Sequence, residues 1–182
     1  MSEQAVRRVL VLGGARSGKS AHAERIAAAT GSVTYLATAA GGVDDAEWTA
    51  RVEAHRRRRP ENWTTVETRE VSSVLRCEAN TVLIDSITTW VSGVMDEVGC
   101  WTQPPALDSE RRLAAELDEL VRAWTTPRGM VVAVSDEVGS GVVPATASGR
   151  LFRDALGLLN QRLAAAADEV HLVVAGIPQR LR

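Results

Sequence analysis

The sequence predicts an α/β protein built on a mostly parallel sheet with helices on both faces. Short β-branched apolar runs recur along the chain, they alternate with stretches of helical periodicity, and several of them end in glycine or a carboxylate. Runs that are apolar throughout are typical of strands buried on both faces, and such burial requires crossover helices above and below the sheet.

Arg8 to Leu12 (RVLVL) is a buried strand that stops at Gly13-Gly14. Ser20 to about Ala29 reads as a helix ended by Thr30-Gly31, and Val33 to Thr38 (VTYLAT) as a second strand. Asp44 or Asp45 is placed to cap a helix that runs to about Arg58 and is closed by Pro60. Thr64 to Glu67 is a short strand candidate, and Thr81 to Asp85 (TVLID) is another buried strand. An apolar helical stretch follows from about Ser86 to Val98, then a loop from Gly99 to Leu107 that contains Pro104-Pro105. Asp108 is expected to cap an amphipathic helix with Leu113, Leu117, Leu120, Val121 and Trp124 on one stripe. Met130 to Ser135 is a strand, Ser148 to Ala167 a helix, and Glu169 to Ala175 (EVHLVVA) the last core strand. Phosphate loops on such sheets lie at the carboxyl ends of strands, so functional residues are expected along one edge.

Composition narrows the function. The 182 residues suit one full-sized core, so residues 1–182 are read as a single domain. Hydrophobic residues make up 45% and charged residues 24%, which is ordinary for a globular chain. No stretch approaches the roughly 20 apolar residues of a membrane span. The opening MSEQAVRRVLVLGG runs straight into glycines without a cleavage site, which points to a cytoplasmic protein. Cys77 and Cys100 are too few for a disulfide framework or a metal knuckle. A net charge of −2 argues against a nucleic-acid polycation. Of the 21 basic residues every one is arginine except Lys19.

That lysine lies in Gly13-Gly14-Ala15-Arg16-Ser17-Gly18-Lys19-Ser20, which fits G-x-x-x-x-G-K-[ST] at every fixed position. The glycines let backbone N–H groups converge on phosphate oxygens, and the following helix N-terminus adds partial positive charge. Lys19 is expected to reach the β- and γ-phosphates and Ser20 to ligate Mg²⁺. The class is therefore P-loop NTPase-like. Such a metal also calls for a carboxylate at the end of a neighbouring strand. Asp85 is the candidate, with Asp136 and Glu137 as competitors.

A second constellation surrounds His55 in Arg51-Val52-Glu53-Ala54-His55-Arg56-Arg57-Arg58-Arg59. Arg51 and His55 share a helical face. Two readings fit this spacing. One is a solvated helix end whose basic side chains complement the helix dipole. The other is a nucleotide-handling cluster, where nearby arginines keep the imidazole neutral and stabilise charge on a phosphate under attack. His22, in the helix after the loop, and His171, in a core strand, read as structural.

Several segments in order resemble the bifunctional adenosylcobinamide kinase/adenosylcobinamide-phosphate guanylyltransferase family. They are GGARSGKS at 13–20, YLAT at 35–38, Glu47 to Arg56, Trp63 to Glu67, LIDSITTW at 83–90, EVGSGVVP at 137–144 and the tract from Phe152 to Pro178. The resemblance implies phosphorylation of adenosylcobinamide by ATP or GTP, then GMP transfer from GTP to adenosylcobinamide-phosphate through a GMP–histidine intermediate. Its histidine falls on His55. Its nucleotide contacts fall on Gly13, Gly14, Ala15, Arg16, Ser17, Gly18, Lys19 and Ser20, on Ala39, Ala40 and Gly41, on Arg56, Arg57, Arg58 and Arg59, and on Glu67 and Asp85. The resemblance also implies one antiparallel strand at the edge of the sheet and a homotrimer. The chain departs from the family pattern at Asp136, where Asn is common, and at Ala54, where some members have a second histidine.

Other classes remain as rivals. A small-metabolite kinase without a covalent step shares the P-loop. A GTP-dependent switch that reads guanine through Asn-Lys-x-Asp is excluded in that form, because the only lysine is Lys19. An RNA-binding module built on Arg56 to Arg59 lacks interleaved aromatic residues.

Overall fold

A computed structural model describes residues 7–38 and 59–182. Seven strands form one sheet in the order β3-β2-β4-β5-β1-β6-β7. The strands are β1 (Arg8–Gly13), β2 (Val33–Ala37), β3 (Thr64–Glu67), β4 (Thr81–Asp85), β5 (Val131–Asp136), β6 (Glu169–Val174) and β7 (Ile177–Arg180). All neighbours are parallel except β6 and β7. The helices among the described residues are α1 (Lys19–Ala28), α2 (Val71–Cys77), α3 (Ile87–Glu97), α4 (Ser109–Thr125) and α5 (Ala147–Ala166). The helix expected between Asp44 and Arg58 lies outside the described residues.

Alternation along the strands divides the core in two. Leu10, Leu36, Ile84 and Ala133 point to one face, where they meet Val71 and Leu75 of α2, Trp90 of α3, Trp124 of α4 and Leu163 of α5. Val9, Val11, Tyr35, Leu83 and Val134 point to the other, under Ala23 and Ala27 of α1. Trp124, with no exposed surface, still places its indole N–H on Leu163 O at 3.1 Å.

Two elements escaped the periodicity. Helix α2 has only seven residues, with two serines and a β-branched start, and what holds it is the burial of Val71 and Leu75 one turn apart. Strand β7 is exposed at every position and contains Pro178, so no apolar alternation marks it. It is the antiparallel edge strand, where a missing N–H is tolerated. It folds back through Ala175 (φ 49°) and Gly176 (φ 81°), a two-residue turn with both φ positive, as tight hairpins require.

One cap also differs from expectation. Asp108 precedes α4 with φ 58° and makes no side-chain cap, turning instead to Arg111 at 3.0 Å. Helix α3, by contrast, starts with a reciprocal capping box between Ser86 and Thr89.

Candidate functional site

The loop from Gly14 to Gly18 leaves the carboxyl end of β1 and enters α1. Two glycines are obligatory there for steric reasons. A Cβ on Gly13 would lie 2.4 Å from Ser17 Oγ and 2.7 Å from Val173 O. Gly18 has φ 93° and packs against Gly176, whose N–H donates to Ser17 O at 2.8 Å. The β6–β7 turn thus buttresses the loop from behind. Gly14, Ala15, Arg16 and Gly18 remain exposed, and the first turn of α1 carries no acidic residue to offset its dipole.

Lys19 folds back over this loop. Its Nζ donates to Gly14 O at 3.2 Å and pairs with Asp136 Oδ1 at 2.5 Å. Asp136 is held by its own backbone: its N–H donates to Thr88 Oγ1 at 2.8 Å, and its carbonyl accepts from Asn160 Nδ2 at 3.1 Å. Glu137 is turned into its own loop, accepting from Ser140 Oγ at 2.8 Å and Gly139 N at 2.9 Å. Those hydrogen bonds, Ser140's first, hold its carboxyl below the usual range.

Asp85, at the end of β4, is the carboxylate that meets Ser20. Ser20 Oγ donates to Asp85 Oδ1 at 3.4 Å, while Tyr35 Oη donates to Asp85 Oδ2 at 2.5 Å. Burial, then the Asp85 charge and its hydrogen bond, push the Tyr35 phenol strongly upward, so it stays a proton donor. A hydroxyl and a carboxylate presented side by side are hard oxygen donors, the chemistry that suits Mg²⁺, whose remaining positions go to phosphates and water.

Arg59 lies over the Tyr35 ring, 3.4 Å from its centroid, with its guanidinium anchored on Thr65 Oγ1 at 3.0 Å. A cavity of about 300 Å³ adjoins it, lined chiefly by Ala21, Glu24, Arg25, Arg59 and Trp63. Glu67 is exposed at the end of β3, in register with Ala37, which pairs in turn with Asp85.

The structure therefore brings Gly13 to Ser20, Asp85 and Glu67 to the carboxyl edge of the sheet, while Arg59, ahead of β3, reaches the middle of β2 at Tyr35. His55, Ala39, Ala40, Gly41, Arg56, Arg57 and Arg58 lie outside the described residues. Sequence reasoning gives Tyr35 no role and names Asp136 only as a competing metal carboxylate, whereas in the structure Asp136 pairs with Lys19. The signal for Tyr35 is a lone tyrosine in the strand VTYLA, because a buried phenol needs an acceptor.

Behind the loop, His22 Nε2 contacts His171 Nδ1 at 2.7 Å, and His171 Nε2 contacts Glu169 Oε2 at 3.1 Å. Burial first, then the charges of His171 and Arg25, hold the His22 imidazole below its ordinary range. This pair braces α1 against β6. No helix among the described residues is long and apolar enough to cross a membrane.

The family model for cobinamide kinase / cobinamide phosphate guanyltransferase matches residues 9–181. A bifunctional adenosylcobalamin biosynthesis protein, CobU, of Escherichia coli is 40% identical, covering 96% of this chain and 99% of its own. CobU of Salmonella typhimurium is 39% identical and CobP of Pseudomonas aeruginosa 38%, over 96% of this chain in each case. Among solved structures, the P4 protein of bacteriophage phi6 in complex with ADP aligns at 13% identity with a TM-score of 0.42, and the chain spans about half of it. The family match over nearly all of the sequence shows that this chain belongs to the cobinamide kinase / cobinamide phosphate guanyltransferase family, whose members are transferases.

Proposed function

We propose that the protein carries out two phosphorus transfers at one nucleotide site. In the first, ATP or GTP phosphorylates the hydroxyl of adenosylcobinamide. In the second, GMP passes from GTP to adenosylcobinamide-phosphate, giving adenosylcobinamide-GDP and pyrophosphate. The observation that carries this reading is the convergence of Lys19, Ser20 and Asp85 on the N-terminus of α1, in a chain of this family.

The N–H groups of the exposed residues Gly14, Ala15, Arg16 and Gly18 hold the triphosphate, with Lys19 set against its β- and γ-oxygens. Ser20 and Asp85 would hold Mg²⁺, which when bound neutralises charge on those oxygens. His55 enters through its place in the Arg51–Arg59 motif. Its ring nitrogen attacks the α-phosphorus of GTP, the bond to pyrophosphate breaks, and a P–N bond forms. A phosphate oxygen of adenosylcobinamide-phosphate then attacks the same phosphorus and releases the imidazole. Dividing the transfer lets one small site serve two large substrates in turn. A homotrimer in the cytoplasm completes the reading, and light scattering checks the assembly.

The test uses GTP labelled at the α-phosphate. With Mg²⁺, the protein should acquire acid-labile, base-stable label, and His55→Ala should acquire none. Active protein without label, or undiminished label in His55→Ala, would leave a kinase without a covalent step.

A further inference from the structure

Tyr35 is the only tyrosine in the chain and sits in the middle strand register of the α1 face, 2% exposed. Its ring lies on the α1 face beside Leu83, its register partner in β4, and near Trp63, surroundings that would suit a phenylalanine equally well. The hydroxyl does something a phenylalanine cannot. It ties down Asp85 Oδ2 at 2.5 Å, while Oδ1 of the same carboxylate is left turned to Ser20 Oγ at 3.4 Å. The two oxygens are thereby made inequivalent.

The ring itself has little freedom. Arg59 covers it at 3.4 Å, held by Thr65, and Trp63 lies 6.5 Å away, centroid to centroid. A continuous chain runs Thr65–Arg59–Tyr35–Asp85–Ser20, from β3 across β2 and β4 to α1. A carboxylate on a freely turning side chain would present either oxygen, or neither, to a cation beside Ser20. One fixed by a short phenolic hydrogen bond presents a single oxygen in a single direction.

We propose that Tyr35 is a positioning residue for the metal-nucleotide complex. Its hydroxyl sets the orientation of Asp85 and so determines which carboxylate oxygen faces the divalent cation next to Ser20. This rests on the reading that Ser20 and Asp85 hold that cation. Tyr35 touches neither nucleotide nor metal, and its effect is confined to the metal-dependent part of nucleotide binding.

The test uses the full chain, Mn²⁺ as the spectroscopic probe and a non-hydrolysable GTP analogue. In Tyr35→Phe the ring packing is kept and the donor is lost. Half-saturation by Mn²⁺ in the presence of the analogue should need roughly tenfold more metal, with nucleotide affinity in EDTA unchanged. An unchanged Mn²⁺ titration, or an equal loss of affinity in EDTA, overturns the proposal. Because Tyr35 is the only tyrosine, 3-fluorotyrosine labels this position alone without a substitution. Its ¹⁹F resonance should move when metal is added to the nucleotide complex, and a resonance unmoved by metal also overturns the proposal. Asp85→Asn separates the two levels. If it too leaves the Mn²⁺ titration unchanged, the metal reading fails and this inference with it. If it weakens metal binding while Tyr35→Phe does not, only the role of Tyr35 fails.

Discussion

The two faces of the sheet are built from different materials. One face carries α2, α3, α4 and α5, and buries large side chains such as Trp90, Trp124, Leu156 and Leu163. Its polar atoms serve the packing, as when Trp124 caps a carbonyl of α5. The other face has α1, whose buried residues are the alanines Ala23 and Ala27, over a strand layer that includes a tyrosine. Small side chains bring α1 close to the strands, and that closeness places Ser20 and Lys19 beside carboxylates from β4 and β5. Bulk stabilises the first face, whereas close approach on the second face positions reactive groups. The two should therefore fail differently when mutated.

The largest effect on stability is expected from the bulky face. Trp124→Ala removes a fully buried indole and should cost about 3–5 kcal/mol in denaturant unfolding. The molecules that remain folded should keep their kcat. A parallel loss of kcat would show that the faces are not separable.

Gly13→Ala probes the close-packed face. The added Cβ meets Ser17 Oγ and the backbone carbonyl of Val173, and the latter has no soft way to yield. Stability should fall by about 1–3 kcal/mol, the usual cost of overpacking. Nucleotide affinity, measured by calorimetry, should fall at least about tenfold because the loop can no longer close on phosphate. Unaltered nucleotide binding would mean the loop tolerates displacement.

The smallest effect concerns pH. His22 is held below its ordinary value of 6.5 by burial, then by His171 and Arg25. The unfolded chain therefore binds more protons in the window below that value, and the contribution is full above it. Stability should drop as pH falls through about 6.5. In His22→Asn the part of this drop between about pH 7 and pH 5 should be shallower. Glu169, whose carboxyl burial pushes up but Arg7 and then His171 together hold below the usual range, titrates further into acid and persists in the variant. An identical slope in wild type and variant would assign the acid loss to carboxylates alone.

Much of this was legible in the sequence because local chemistry and global fold agree. RVLVL and TVLID carry their burial in their composition, and GGARSGKS specifies both the turn and its ligand class. What escaped shows where one-dimensional reading stops. Helix α2 exists through packing against α4, distant in sequence, and strand β7 is a polar edge held by its backbone pairing with β6, so neither propensity nor periodicity announces them. The pairing of Lys19 with Asp136 and of Tyr35 with Asp85 depends on strand order, which alternation cannot supply. Sequence reasoning named Asp85, Asp136 and Glu137 as carboxylates at strand ends. Only the register of β4, β5 and β1 puts Asp85 beside Ser20, Asp136 beside Lys19, and Glu137 in its own turn.

The contact between Gly18 and Gly176 has a kinetic consequence. The phosphate loop lies near the beginning of the described chain, and the hairpin that supports it lies near the end. The loop reaches its final shape only when β6 has docked on β1, a pairing of large sequence separation and correspondingly slow closure. Without the docked hairpin the anion cradle lacks its rear support. Nucleotide that binds only the finished cradle favours the state with the hairpin docked, by mass action.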